Sequence, residues 1–251
     1  MQTIVAALTE QHRELDEVLS ALAPADWKGA SRCPGWTIAD VVLHLAQTDE
    51  LAAASGHGRP AEVAPAWLTA GGDVDARAAE SVERDRGASG AAVYERWRAA
   101  ARSVRTMFAG VDPSRRMLWV VGELPARTLA TTRLAEAWIH TGDVLEPLGV
   151  KQPATDRLWH IARLAWRTLP YAFARNGSEL SGPVALALTA PDGSDWTFGL
   201  APSDPTPATT VRGPALDFCL VAAQRLAAPA SALTAQGPDA NPVLTLVRTF
   251  A

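Results

Sequence analysis

Glu136 and His140 stand four residues apart in Arg133-Leu134-Ala135-Glu136-Ala137-Trp138-Ile139-His140-Thr141-Gly142-Asp143. If that segment is helical, both side chains leave one face and can close on a single divalent ion. His44 is the other histidine that falls in the middle of a strong amphipathic pattern, between Leu43 and Leu45. Two imidazoles and one carboxylate form a ligand set of catalytic zinc sites, which keep a fourth position open for water or substrate. The same set suits iron, manganese, cobalt or nickel. Spacing alone leaves a second reading standing. In it, Glu136 and His140 are a helix-surface ion pair and His44 is a hydrogen-bonded core histidine.

Asp143 follows His140 by one turn, where it either orients an imidazole N–H or lies on the surface. Asp143, Arg133 and Arg127 are the catalytic candidates, the two arginines as hands for an anionic substrate. Trp36 and Trp67 fall in loops and are candidates to line a cofactor pocket. Trp97, Trp138, Trp159 and Trp166 sit on helical patterns and read as core. Cys33 precedes the His44 segment; it can ligate a metal or react as a thiol, and reads first as a buried structural cysteine. Asp49 and Glu50 share the His44 segment at other angles and read as solvated surface. His12, His57 and His160 have no partner pattern.

The elements that must hold these residues follow from periodicity. Ile4 to Leu22 has helical apolar spacing and ends at Pro24. Thr37 reads as an N-cap with Asp40 as its capping-box partner, opening a helix from Ile38 to about Ala54. Residues 55–87 are rich in Gly, Pro, Asp and Arg and are expected to be a long loop with one short helix. Ser89 caps a third helix that ends near Gly110, and residues 125–148 make a fourth, closed by Pro147 and Gly149. Residues 1 to about 150 are therefore expected to be all-helical, an antiparallel four-helix bundle with room for a crossover between its second and third helices. After Pro153, Thr155 caps a fifth helix to about Arg175. Val184–Leu188 and Trp196–Phe198 flank the turn Pro191-Asp192-Gly193 as a hairpin. Thr209–Arg212 and Ala232–Ala235 are further strand candidates, with helices over Pro214–Arg225 and Pro242–Phe250. The expected division is 1–150 and 151–251, giving an α+β chain.

The 251 residues carry a formal net charge of -4, with 48% hydrophobic and 20% charged residues. The pI is about 5.7. That is an ordinary globular balance, without the basic stripe of a nucleic-acid binder. Cys33 and Cys219 are far apart, so a disulfide framework is not expected and a reducing, cytoplasmic setting is. The first residues lack the pattern of a signal peptide. No apolar run is long enough for a membrane span.

Cys33-Pro34-Gly35-Trp36-Thr37-Ile38-Ala39-Asp40-Val41-Val42-Leu43-His44-Leu45 resembles the PGW(T/S)xxDxxxHL signature of the mycothiol-dependent maleylpyruvate isomerase family, within the DinB/YfiT-like metalloenzyme superfamily. Arg133 to Asp143 resembles that family's ExxxHxxD signature. Thr189 to Thr197 and Gly213 to Cys219 are similar to its small second domain, with an uncharacterised actinobacterial subgroup the most similar. The resemblance implies a DinB-like four-helix bundle followed by a small α+β, sterol-carrier-protein-like domain. It implies a divalent metal, zinc first, held by His44, Glu136 and His140.

It also implies an enzyme acting on a small molecule. In that family the metal binds the thiolate of mycothiol, which suits isomerisation, addition or S-transfer. A thiol-independent lyase, hydrolase or cyclase is the alternative, and a non-catalytic metal-binding module the third reading. The expected state is a monomer or homodimer, with no nucleic-acid or membrane partner.

Overall fold

The computed structural model describes residues 1–64 and 74–249. The chain forms two compact units, Met1–Gln152 and Pro153–Ala251.

Four long helices build the first unit: α1 (Gln2–Ser20), α2 (Ile38–Gly56), α5 (Gly90–Gly110) and α6 (Ala126–Leu145). They pack in a ring, α1 against α5 and α6, and α2 likewise against α5 and α6. Side-chain pairs give their directions. His44 meets Glu136 and Asp49 meets Arg133, so α2 and α6 run antiparallel. His12 meets Arg105 and Asp16 meets Tyr94, so α1 and α5 do too. Glu50 pairs with Arg96, and Gly56 packs on Met107, so α2 and α5 run the same way. Two neighbouring helices in the same direction require a connection that crosses the length of the bundle, as the sequence allowed for.

That connection is more helical than its composition implies. It contains α3 (Pro60–Val63) and α4 (Val74–Asp85), which buries Ala78, Ser81 and Val82. Among the described residues, the expected single short helix is therefore corrected to two. Trp67 lies outside the described residues.

The first unit is not wholly helical either. Strands β1 (Arg116–Trp119) and β2 (Gly122–Pro125) form an antiparallel hairpin that leads directly into α6. The hairpin escaped the sequence reading because its turn residues are Val120 and Val121, not the Asn-Gly or Asp-Gly that usually mark a two-residue turn. Gly122, at φ 104, supplies the left-handed residue. Met117 and Trp119 point into the core.

The start of α2 is fixed as its sequence predicts. The Thr37 hydroxyl accepts from the Asp40 amide at 3.2 Å, and the Asp40 carboxylate accepts from the Thr37 amide at 2.9 Å. This capping box satisfies two orphan amides and anchors the helix that carries His44.

The second unit is a small α+β domain. Its sheet has the order β4-β3-β5-β6, from β3 (Val184–Thr189), β4 (Asp195–Phe198), β5 (Thr209–Pro214) and β6 (Thr234–Gln236). β3 pairs antiparallel with β4 and parallel with β5. The expected fifth helix is broken into α7 (Leu158–Arg167) and α8 (Leu169–Arg175). Pro170 has no N–H to continue the ladder, so the helix breaks at Thr168 and Pro170 takes its place in the first turn of α8. Helices α9 (Ala215–Ala222) and α10 (Ala240–Leu246) complete the unit.

Candidate metal centre

The facing sides of α2 and α6 bring His44, Glu136 and His140 together. Glu136 Oε2 lies 3.1 Å from His44 Nε2 and 3.6 Å from His140 Nε2. One donor atom from each residue falls within 4.8 Å of the others, close enough to share one ion. The imidazole rings meet edge to face, with centroids 5.0 Å apart. Trp36 is half-buried and covers His44, its ring centroid 5.3 Å away.

Each imidazole presents Nε2 to the carboxylate, for different reasons. His140 Nδ1 is 2.9 Å from Asp143 Oδ2. Asp143 is fully buried, so its carboxylate holds the proton on Nδ1, and in the neutral ring Nε2 is the lone pair. His44 Nδ1 is buried and has no hydrogen-bond partner. Its Nε2 therefore makes the ring's one polar contact, to Glu136.

Burial favours the neutral forms of all three groups. For Glu136 that push upward is outweighed by hydrogen bonds and charge from His140 and His44, which hold its carboxyl well below the usual range. For His140 burial pulls downward, but hydrogen bonds to Asp143, Cys33 and Glu136 raise the ring well above its usual value. For His44 burial prevails, and its pKa is lowered despite Glu136. With no ion between them, the carboxylate and the two rings thus behave as an anion flanked by one protonated and one neutral imidazole. Once His140 gives up one proton, two imidazole nitrogens and a carboxylate aimed at one point are a donor set that fits a divalent cation.

Cys33 approaches from the loop before α2. Its Sγ is 3.2 Å from Asp143 Oδ2 and 3.8 Å from His140 Nδ1. Cys33, His140 and Asp143 form a second group with metal-ligating atoms, sharing the His140 ring with the first. The loop is pinned there: the Arg32 amide donates to the Asp143 carbonyl at 3.0 Å, and the Trp36 carbonyl accepts from the Ser31 amide at 2.9 Å. Cys33 is half-buried, where the sequence reading expected a buried structural cysteine.

A profile described as "Mycothiol maleylpyruvate isomerase N-terminal domain" matches residues 8–145, more than half of the chain, a span that includes His44, Glu136 and His140. The chain belongs to the mycothiol maleylpyruvate isomerase family. Two uncharacterised proteins of Mycobacterium tuberculosis are each 35% identical over 251 residues, covering 98% of this chain and 95% of their own. Among solved structures, the mycothiol-dependent maleylpyruvate isomerase aligns with a TM-score of 0.63 at 18% identity, over 95% of both chains. A mutant of that enzyme aligns at 0.61 and 17%, over 90% of this chain and 89% of its own. At those identities the likeness speaks for a shared fold.

Within this family fold, the remaining candidates occupy distinct places. Arg133 is 1% exposed. Its Nε donates to Asp49 Oδ1 at 2.9 Å and its Nη2 to Thr48 Oγ1 at 2.8 Å, while its Nη1 faces Glu136 Oε2 at 3.9 Å. The guanidinium also lies 5.9 Å from the ring centroid of Trp119. Arg127 is exposed in the first turn of α6. It precedes Glu136 by nine residues, roughly 13 Å along the axis and about half a turn round it, so it is not brought to the centre.

Sequence reasoning misplaced Asp49 and passed over His12. Asp49 is 1% exposed, held by Arg133 and 3.6 Å from His12 Nε2. The surface reading failed because α2 is enclosed by α4, α5 and α6, so even its polar positions are buried. His12 is buried beside it, and Arg105 donates to its Nδ1 at 2.8 Å. Burial, then the charges of Arg105 and Arg133, lower the His12 pKa well below its usual value. The sequence signal for this network was a set of polar residues on otherwise apolar faces. No helix among the described residues is long and apolar enough to cross a membrane.

Proposed function

We propose that the chain is a metal-dependent enzyme of the isomerase and transferase type. In this reading His44, Glu136 and His140 hold one divalent ion, zinc by their chemistry, and mycothiol is the cosubstrate. The observation that carries the proposal is the convergence of His44 Nε2 and His140 Nε2 on one oxygen of Glu136. Membership of the family supplies mycothiol. The small-molecule substrate class follows from the same source; maleylpyruvate itself belongs to the relatives and is a first substrate to try.

When bound, a divalent cation lowers the pKa of a thiol below its free value of about 8.5, so a nucleophile exists at neutral pH. The chain's own residues prepare for this. Asp143 fixes the tautomer and orientation of His140. Arg133, locked against Asp49 and Thr48, brings its guanidinium to 3.9 Å from the same Glu136 oxygen that the two imidazoles face. Trp36 covers one side of His44 and keeps water from that ring. Three protein ligands leave a tetrahedral ion one position short, and that position is where a thiol or a substrate atom would enter.

The test is turnover of maleylpyruvate and related activated alkenes by zinc-loaded protein, with and without mycothiol, with Glu136→Gln as control. Mycothiol-dependent turnover that Glu136→Gln abolishes supports the reading. Full activity without thiol would reject the thiol part and leave a metal-dependent lyase, hydrolase or cyclase.

A further inference from the structure

A second polar cluster lies away from the metal ligands, between α1 and α5. A cavity of about 270 Å³ is lined there by His12, Asp16, Trp97, Arg98, Arg102 and Arg105, among others. Most of the charge around it is answered. Arg13 binds Glu10 and Glu17, and Arg98 pairs with Asp16 at 3.4 Å and with Glu95 at 3.2 Å. Arg102 and Arg105 differ, because among the described residues neither forms an ion pair with a carboxylate.

Arg105 is half-buried, and its hydrogen bond goes to His12 Nδ1 at 2.8 Å. That nitrogen accepts only when it carries no proton, so the cation rests against a neutral ring. Burial lowers the Arg105 pKa; the carboxylate of Asp49 opposes this, and the neighbouring Arg102 adds to it. A half-buried guanidinium is ordinarily placed against a carboxylate or phosphate. Trp97 lines the same cavity, and its indole N–H is buried without an acceptor. Two guanidinium groups without a carboxylate partner therefore line one small cavity.

We propose that this cavity is a binding site for a small oxyanion, a phosphate or carboxylate group, taken by Arg102 and Arg105. A planar guanidinium pair matches two oxygens of either group with parallel N–H bonds. His12 does not bind the anion directly; it fixes Arg105, because its Nδ1 accepts from that guanidinium while its Nε2 faces Asp49. The proposal stands apart from the metal reading and survives its failure.

The experiment is isothermal titration of metal-free full-length protein at low ionic strength, with inorganic phosphate in one arm and succinate in the other. Wild type is expected to bind at least one of them with a millimolar or tighter Kd. Arg102→Gln, an exposed position that does not threaten folding, and Arg105→Gln should each weaken that binding tenfold or more. Arg84→Gln, an exposed arginine on α4, should leave it unchanged. Binding in one arm alone supports the site and names its chemistry. No binding in either arm overturns it, as does binding that neither Arg102→Gln nor Arg105→Gln weakens.

Discussion

His140 Nδ1 and Asp143 Oδ2 are 2.9 Å apart inside a single turn of α6, and that bond decides which ring nitrogen faces Glu136. Asp143 therefore bears on the ligand set through that imidazole. Asp143→Asn keeps the shape but weakens the hold on the tautomer. Zinc affinity should fall about 10–100-fold, as for other partners that orient a ligating histidine. Competition with a chromophoric chelator measures it, and far-UV circular dichroism should show the helices unchanged.

The titration of the metal-free site gives a second expectation. Glu136, lowered well below its ordinary 4.5, stabilises the fold above that value and loses its contribution as pH falls through its folded pKa. His140, raised well above 6.5, contributes fully below 6.5 and loses its contribution as pH rises through its folded pKa. His44, lowered by burial, works against the folded state below 6.5. Zinc needs both rings unprotonated, so binding at neutral pH should release a proton from His140. Thermal melts should show zinc stabilising the protein more as pH rises. Calorimetry in buffers of different ionisation enthalpy should show proton release in wild type and less of it in His140→Ala, whose residual affinity is low.

Arg133 and Asp49 form an ion pair closed to solvent on both sides. Removing one partner strands the other's charge, which costs about 3–5 kcal/mol. Asp49→Ala should therefore lower the urea midpoint sharply. Asp49→Leu combined with Arg133→Leu should recover part of the loss, because apolar replacement of both leaves neither charge of the pair stranded. Equal loss in the single and the double variant would show that the pair is not the source.

The capping box at Thr37 stabilises the start of the helix that carries His44. Thr37→Ala should cost about 1 kcal/mol in urea unfolding. The spacing of His44 from α6 is set by core packing further along the helix, so zinc affinity should change little.

Much of this arrangement is legible in residue order, and the rest depends on what tertiary packing does to it. Glu136 and His140 can be placed on one face by helical spacing alone, and Thr37 with Asp40 announces the helix that delivers His44. The approach of Cys33 to Asp143 is not legible, because it depends on a loop folded back through the Arg32–Asp143 and Ser31–Trp36 backbone bonds. Asp49 is read wrongly from its angle on α2, since a helix enclosed by three others has no solvent face at that position. The hairpin before α6 carries valines at its turn, so local propensity hides it. His12 and Arg133 acquire meaning only as partners of Asp49, a contact that spans α1, α2 and α6.

The most direct test of the account is the absorption spectrum of the cobalt-substituted protein titrated with mycothiol. Cobalt(II) in the site of His44, Glu136 and His140 should give the visible bands of low-coordinate cobalt, and mycothiol should add a near-ultraviolet sulfur-to-cobalt charge-transfer band that saturates at one thiol per chain. His44→Ala should lose both. Cobalt bands that mycothiol leaves unchanged would contradict the thiol role, and a protein that takes up no cobalt while folded would contradict the metal centre itself.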